Sequence, residues 1–254
     1  MKRNFLAKSF NKISESYDRY RPGYPLELID YIIKTSKINK RSKILEIGCG
    51  TGKATALFLR KGFHVTAVEP GKNLIEAAQK NLNKYKEIDI VNKKFEAAKL
   101  KSDYYDLVFS ASAFHWVDPE IGIKKLKNIL KPEGYFAFFW SHTDYDHSEV
   151  WRKIKKVFQK YYHLNNFAAT NNSHSNLALQ KIKNSNFFNK IESRAFPVYG
   201  SIKLKDYFEL IKTYSWIAVM NKKRQSEFIK ELSDFLKKDL NIKRTNKLII
   251  GRKR

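Results

Sequence analysis

A short glycine-rich segment and an acid farther along the chain are the residues whose spacing best suits ligand chemistry. Gly48, Gly50 and Gly52 alternate with other residues directly after the apolar run Ile44–Ile47. Glycines at such a bend allow positive φ and let a ligand approach the backbone without a Cβ in the way. The free N–H groups where a helix begins favour an anionic or electron-rich group. Glu69 ends a second apolar run at about the twenty-residue offset where a carboxylate accepts hydrogen bonds from a ribose diol.

This spacing differs from two better-known nucleotide motifs. The dinucleotide fingerprint has its third glycine one place later, where this chain has Lys53. The Gly-Lys-Ser/Thr ending of a P-loop is also missing from the segment. Taken alone, the glycines indicate a tight β–α turn and Glu69 an ordinary surface acid. The strand, bend, helix and acid together predict a ligand site.

A second group of chemically capable residues follows another apolar run, in the segment from Asp106 to Asp118. The carboxyl ends of parallel strands meet at one edge of a sheet, so Ser110–Trp116 is expected beside the glycine bend. His115 is a candidate general base, because its unperturbed pKa lies close to neutrality. Trp116 is a candidate pocket wall that contacts a cation through its π face. The alternative is a His115 that binds a backbone carbonyl and a Trp116 in the core.

The elements that must position these residues follow from the apolar pattern between Lys43 and Trp140. Short apolar runs alternate there with segments whose apolar residues recur at helical spacing. The runs read as strands covered on both faces, and alternating strands and helices predict a mainly parallel, doubly wound α/β sheet. Helices are predicted over 54–59, 74–82 and 121–130, and Gly62 is predicted to end the first of them.

After Trp140 the pattern changes, and no internal repeat or low-complexity linker separates the two halves. The second half is therefore expected to be a lobe inserted between late strands of one sheet. The predicted elements are a helix Ser148–Tyr162, a loop Asn165–Asn176, a short helix Leu177–Ile182, an edge strand Lys190–Val198, helices Tyr207–Met220 and Phe228–Leu240, and a strand Lys247–Ile250.

The segment Ile44–Thr55, with the Val-Glu-Pro-Gly run that contains Glu69, resembles class I S-adenosylmethionine-dependent methyltransferases. The closest likeness is to the small-molecule, trans-aconitate-methyltransferase-like (methyltransferase type 11) group, and it extends from Phe10 to about Trp140. It implies a Rossmann-like doubly wound, mainly parallel seven-stranded sheet with an antiparallel late strand and a helical C-terminal lobe. It further implies an N-terminal lid and first helix over 1–40, a cofactor-binding core over 41–140, and a substrate lobe with the last two strands of the same sheet over 141–254.

The resemblance also implies roles for individual residues. The expected cofactor-binding residues are Tyr17, Arg21, Glu46, Gly48, Gly50, Gly52, Glu69, Pro70, Phe95, Glu96, Ser110 and Ala111. Among them, Glu46 lies beside the methionine moiety, Glu69 binds the ribose, and Phe95 with Glu96 borders the adenine, although the family more often has Asp at the place of Glu96. The expected acceptor-pocket residues are Tyr20, His115, Trp116, Tyr214 and Trp216, with His115 as the catalytic candidate. No metal is expected.

Composition limits the partners of the chain. The formal charge of +25 comes from lysines spread over almost every block of ten residues, which indicates a solvated surface more than a nucleic-acid patch. A positive field would nevertheless attract an acidic acceptor. The single cysteine, Cys49, excludes an intramolecular disulfide and a multi-thiolate metal site. No apolar run reaches the ~18 residues of a membrane span, so a cytoplasmic location is expected. The sequence leaves the oligomeric state open.

These observations favour methylation of a small molecule, with transfer to oxygen as the leading expectation. An RNA-directed methyltransferase is the charge-based alternative. Against it, the chain has neither an Asn/Asp-Pro-Pro-aromatic motif for base amino groups nor a spare catalytic cysteine for methylation at carbon. A non-catalytic S-adenosylmethionine-binding protein is the third candidate, because the motifs specify ligand binding better than chemistry.

Overall fold

Within the residues that the computed structural model describes, which are 10–144, 148–162 and 167–254 (the backbone alone over 167–175), seven strands form one sheet. Numbered along the chain, their order across the sheet is β3-β2-β1-β4-β5-β7-β6. Strands β1 to β5 pair in parallel, and β7 is antiparallel to both of its neighbours. The strands are Ile44–Ile47 (β1), Val65–Val68 (β2), Ile88–Val91 (β3), Tyr105–Ala111 (β4), Leu130–Asp144 (β5), Phe188–Ile202 (β6) and Leu240–Lys253 (β7). The predicted Rossmann-like, doubly wound sheet with an antiparallel late strand is confirmed.

The strand order reverses beside β1, and this reversal locates the crevice. The chain proceeds from β1 through β2 to β3 on one side, and β4 then pairs with the other edge of β1. In open α/β sheets, ligands bind outside the carboxyl ends of the strands at such a point. The glycine bend follows β1 and the segment containing His115 follows β4, so both are brought to this crevice.

Helices lie against both faces of the sheet. Four of the helices that follow β5, over residues 149–162, 204–212, 215–218 and 222–235, pack together and are called the later lobe. The helices are Ser14–Tyr20 (α1), Leu26–Ser36 (α2), Thr55–Arg60 (α3), Lys72–Leu82 (α4), Pro119–Ile129 (α5), Glu149–Tyr162 (α6), Phe167–Asn184 (α7), Leu204–Lys212 (α8), Ser215–Ala218 (α9) and Lys222–Phe235 (α10). Gly62 ends the segment after α3 with φ +75°, as predicted, and its N–H donates to the Leu59 carbonyl over 2.8 Å. None of the described helices has both the length and the apolar composition needed to cross a bilayer.

Burial explains why the central strands read as continuous apolar runs. All four residues of β1 are buried, because helices cover the sheet on both sides. One core cluster joins α2 and α3 to one face through Leu28, Ile32 and Phe58. A second covers the other face, and a third, rich in aromatic residues such as Trp151 and Phe228, holds the helices of the later lobe together.

The predicted loop over Asn165–Asn176 is wrong from Phe167 onward, where helix α7 begins. Residues 165 and 166 lie outside the described residues. The polar composition gave no helical signal, but the C-terminal half of α7 packs on the sheet through fully buried Ile182 and partly buried Leu179. Tertiary packing there outweighs the weak helix propensity of asparagine.

Three other boundaries in the second half also differ from expectation. The single helix predicted over Tyr207–Met220 is divided into α8 and α9 by Thr213 and Tyr214. The helix predicted from Phe228 begins earlier, because the side chain of Asn221 caps α10 by accepting from the Arg224 N–H over 2.8 Å. Strands β6 and β7 are both longer than predicted, since they pair with each other along nearly their full length.

Candidate functional site

A cavity of about 580 Å³ lies at the carboxyl ends of β1, β2, β4 and β5 and continues toward the later lobe. It is bordered on one side by the glycine bend and the acids Glu46 and Glu69. On the other side it is bordered by Trp116, Tyr214 and other aromatic residues. We call the first part the cofactor half and the second part the acceptor half. The structure thus joins the two predicted groups of residues in one space.

The three glycines of the bend have different tasks, although all have positive φ. A Cβ on Gly48 would lie 2.5 Å from the Cβ of Ala113, and one on Gly52 would lie 2.8 Å from a methyl carbon of Leu82. Gly50 has no heavy atom within 4 Å of that position and borders the cavity. Gly48 also borders the cavity, whereas Gly52 does not. Gly52 lets the bend pack against helix α4, and its expected contact with a ligand stays a prediction.

Glu69 lies directly on the bend, as the sequence predicted. Its Oε2 accepts from the Gly50 N–H over 3.0 Å, and its Oε1 accepts from the Gly71 N–H over 2.9 Å. Each oxygen retains a second lone pair, so the carboxylate can still accept from a ligand diol. Burial raises the pKa of Glu69, and the two backbone hydrogen bonds act in the opposite direction. Asn92, which the sequence did not single out, holds this segment by donating to the Glu69 carbonyl over 3.0 Å.

Glu46 is fully buried at the floor of the cofactor half. The hydroxyl of Thr55 donates to its Oε2 over 2.5 Å, and its Oε1 has no hydrogen-bond partner among the described residues. Burial raises the pKa of Glu46 to about 8, the Thr55 hydrogen bond opposes this, and the nearby charge of Glu69 adds to it. The buried hydroxyl of Thr51, also on the cavity wall, likewise lacks a partner within the described part of the chain. A buried polar atom without a partner is costly, so both groups point to a bound ligand.

Four other residues that were expected to bind the cofactor also lie at the cavity. Pro70, Phe95, Glu96 and Ala111 border the cavity, and the ring of Phe95 is buried. The Oε1 of Glu96 accepts from the Asp118 N–H over 2.9 Å, so one of its oxygens is already used at the start of α5.

Ser110 does not border the cavity. Its hydroxyl is buried and donates to the Ile47 carbonyl over 2.8 Å, because β4 lies beside β1. This hydrogen bond joins the two strands, and the predicted contact of Ser110 with the cofactor stays a prediction.

The segment from Phe10 to Tyr24 borders the cavity and is tied to the later lobe through Arg21. Its Nε donates to the Thr213 hydroxyl over 2.8 Å, and its Nη2 donates to the Thr213 carbonyl over 3.0 Å. The guanidinium also lies over the rings of Tyr17 and Tyr214, at 5.4 and 4.7 Å from their centroids. Arg21 and Tyr17 border the cavity, and much of the Arg21 donor capacity is used within the chain.

Tyr20 is the one lid residue that the structure places elsewhere. It does not border the cavity, and the guanidinium of Arg19 lies over its ring at 5.5 Å from the centroid. Its predicted place in the acceptor pocket stays a prediction that this geometry does not support.

His115 borders the cavity with one ring nitrogen held by a tryptophan. The indole Nε1 of Trp140 donates to the His115 Nδ1 over 3.1 Å. Because an indole N–H can only donate, the neutral imidazole carries its own proton on Nε2. In this tautomer Nε2 is a donor, and the predicted role of His115 as a general base stays a prediction.

Aromatic side chains from distant segments form the acceptor half. Trp116, Tyr214 and Trp216 border it, as the sequence predicted. The sequence did not single out three other bordering residues, Trp140, Tyr162 and Arg244. Trp140 and Tyr162 looked like ordinary core positions of a strand and a helix, and Arg244 lies in a generally basic final segment. In the described ranges, no group of three or more His, Cys, Asp or Glu side chains is arranged to hold a metal ion.

The comparison with protein families decides the identity of this fold. The family model described as a methyltransferase domain matches residues 45–138, the segment that builds the cofactor half. The chain therefore contains a methyltransferase domain of the class I S-adenosylmethionine-dependent type over residues 45–138. This confirms the resemblance predicted from the glycine bend and Glu69.

Relatives and solved structures agree with this methyltransferase assignment. The chain is 34% identical over 143 residues to a "Probable S-adenosylmethionine-dependent methyltransferase" of Saccharomyces cerevisiae, covering 55% of this chain and 48% of that protein. It is 32% identical over 142 residues to the malonyl-[acyl-carrier protein] O-methyltransferase of Priestia megaterium, covering 54% of this chain and 51% of that protein. The match thus spans about half the length of these curated relatives. Haemonchus contortus phosphoethanolamine N-methyltransferase 2, solved with phosphomonomethylethanolamine and S-adenosylhomocysteine, shares the fold with a TM-score of 0.58 at 16% identity, covering 99% of this chain and 59% of that one.

The residues of the cofactor half fit the methyl donor that this methyltransferase family uses. Glu46 offers a buried carboxylate oxygen without a partner in the described chain, which suits a positively charged amino group. Glu69 offers free lone pairs for a diol, and the space over Gly50 lets a ligand reach the backbone.

Proposed function

We propose that the chain transfers the methyl group of S-adenosylmethionine to an oxygen atom of a small acceptor molecule. The observation that carries this proposal is the single cavity, in which the half bordered by Gly50, Glu46 and Glu69 opens into the half bordered by Trp116 and Tyr214. A donor in the first half and an acceptor in the second would be held in one enclosed space. Alignment of two reactants in a dry pocket is the main contribution an enzyme makes to methyl transfer.

The cofactor would be held by residues that the family resemblance and the geometry both favour. Glu69 would accept from the ribose hydroxyls, Glu46 would bind the methionine moiety, and Phe95 would border the adenine. When bound, S-adenosylmethionine supplies a methyl group activated by a sulfonium. The remaining task of the chain is to orient the acceptor and to keep water away.

The residues of the acceptor half suit a carboxylate oxygen as the nucleophile. A carboxylate is already deprotonated, so a lone pair on its oxygen forms the new C–O bond as the S–C bond breaks, and no base is needed. The proposal therefore does not require His115 to act as a base. The printed activity of the Priestia megaterium relative, O-methylation of a malonyl group, is of this type and supports the proposal.

A turnover assay with size-matched acceptors tests the proposal. S-adenosylhomocysteine formation is measured with panels of carboxylic acids, phenols, phosphomonoesters and amines, and separately with RNA. We expect turnover on at least one carboxylic acid, with a methyl ester as the product. An N-methylated amine as the only product contradicts transfer to oxygen, and methylated RNA contradicts a small acceptor. Binding of S-adenosylmethionine without turnover on any compound contradicts catalysis and supports a non-catalytic binder.

A further inference from the structure

Arg244 is a cation on the wall of the acceptor half. It lies on the central part of β7, where its Cα pairs with Thr143 on β5 and with Val198 on β6. Its side chain is half-buried and borders the cavity. Across the described residues, it makes no hydrogen bond or ion pair in the protein. A guanidinium carries five N–H donors arranged as a planar fork, so this one presents unused donors to the cavity.

The nearest acid along the sheet does not neutralise it. Asp144 accepts from the Thr245 hydroxyl over 2.5 Å and lies 3.6 Å from the Lys243 ammonium. Lys243 and Thr245 flank Arg244 on β7, and alternate residues of a strand project to opposite faces. The Asp144 carboxylate is therefore engaged on the face away from the cavity. The proximity of the two residues along the sheet does not bring their charges together.

The surroundings of Arg244 make this charge costly. Burial lowers the pKa of Arg244, and the nearby phenol of Tyr214 acts in the opposite direction. A partly desolvated cation without a counterion destabilises the fold. Side chains that lower stability in this way are expected mainly at functional sites.

The remaining charges of the cavity do not compensate for it. The carboxylates that border the cavity, Glu46, Glu69 and Glu96, all belong to the cofactor half. Arg21, the other arginine near Tyr214, already donates to Thr213. The described wall of the acceptor half thus has an excess of positive charge and contains no acid.

We propose that Arg244 binds an oxyanion of the methyl acceptor and thereby selects anionic acceptors, an inference that rests on the proposed function of the same cavity. An anion would supply the missing counterion and accept the bidentate fork of the guanidinium. An amine acceptor would instead place a second positive charge beside Arg244. The aromatic wall alone would tolerate a cation through π contacts. Arg244 is therefore the residue that determines whether the site selects an anionic or a cationic acceptor.

Matched charge-removing variants on one strand test this specificity. Arg244→Met keeps the length of the side chain and removes the fork, whereas Arg244→Lys keeps the charge. Lys243→Met removes an equal charge from the adjacent position on the opposite face. Each protein, saturated with S-adenosylhomocysteine, is screened by thermal shift against size-matched carboxylates, phosphomonoesters, neutral amides and amines. Kd values are then measured by calorimetry for every compound that stabilises the wild-type complex.

We expect anions to stabilise the wild-type complex, with carboxylates or phosphomonoesters identifying which oxyanion the site takes. Arg244→Met should weaken their binding at least about 10-fold, Arg244→Lys less, and Lys243→Met not measurably. Neutral or cationic compounds as the only ligands, no anionic ligand at all, or equal anion affinity in Arg244→Met would overturn the proposal. The affinity for S-adenosylhomocysteine is measured separately in each variant, so a wild-type chain that does not bind it contradicts the proposed function and not the role of Arg244.

Discussion

The two halves of the cavity are built in different ways. The cofactor half comes from short continuous segments, Glu46–Thr55 and Glu69–Gly71, whose backbone N–H groups and acids already contact one another. The acceptor half gathers single side chains from segments far apart in the chain, such as Trp116, Tyr214 and Arg244. The first half is acidic and largely prearranged, and the second is aromatic and positively charged. The comparison indicates that donor binding is fixed by a local motif, whereas acceptor choice depends on how the later lobe packs.

The largest effect is expected from removing the acid of the prearranged half. Glu69→Ala should weaken S-adenosylhomocysteine binding by about 100-fold or more, because two hydrogen bonds to a charged acceptor contribute roughly 1.5–3 kcal/mol each. Calorimetric titration measures this change. Glu87→Ala, which removes an exposed acid near β3, is the matched control and should bind normally. Unchanged affinity in Glu69→Ala would mean that the donor binds elsewhere.

His115 connects the two halves, and its variants separate a donor from a base. His115→Asn retains a side-chain N–H, so we expect its kcat to stay within about 10-fold of wild type, whereas His115→Ala should lose about 10–100-fold. The test acceptor is the best substrate from the turnover panel. Equal losses in both variants, together with loss of the acidic limb of the pH–rate profile, would establish His115 as a base.

Substitutions at two glycines of the bend, Gly50 and Gly52, separate the contribution of ligand contact from that of packing. An added Cβ at Gly50 meets no protein atom and lies at the cavity wall, so Gly50→Ala should weaken S-adenosylhomocysteine binding about 10-fold. A side chain at positive φ should also cost ~1 kcal/mol of stability. Gly52→Ala meets Leu82 and should lower the free energy of unfolding more than Gly50→Ala does. Denaturant unfolding measures the loss of stability in each variant, and calorimetry measures the affinity of each variant for S-adenosylhomocysteine. A larger loss of stability in Gly50→Ala than in Gly52→Ala would contradict the assignment of Gly50 to ligand contact and of Gly52 to packing.

The smallest effect concerns the pH dependence of stability. The pKa of Glu46 is about 8 in the fold, above its ordinary value of 4.5, so the native state binds the proton more tightly than the unfolded state. Stability is therefore expected to fall as the pH rises from about 4.5 to about 8. Glu46→Gln should flatten this slope and unfold at a higher temperature than wild type at pH 8.5.

Thermal unfolding of cofactor-free protein at pH 5.5, 7 and 8.5 checks this expectation. Glu87→Gln, at an exposed position, should keep the wild-type slope. An unchanged slope in Glu46→Gln would show that other groups carry the pH dependence.

The sequence predicted well where neighbours in the chain are also neighbours in space. The bend, Glu69 and the parallel strands follow from short-range spacing, since each βα unit positions its own residues. The same spacing did not distinguish Gly50 from Gly52, because only the packing of Leu82 against Gly52 separates their tasks. It also did not reveal Arg244 or the Trp140–His115 hydrogen bond. These depend on strand pairing between distant segments, and one arginine among many basic residues gives no local signal.

The central claim is that Gly50 and Glu69 together bind the ribose of the cofactor. A crystal structure of the chain with S-adenosylhomocysteine tests this claim most directly. We expect both ribose hydroxyls within hydrogen-bonding distance of the Glu69 carboxylate, with the ligand lying over the backbone of Gly50. The thioether sulfur should face the half bordered by Trp116 and Arg244. A ribose bound away from Glu69, or a sulfur directed away from that half, would contradict the claim.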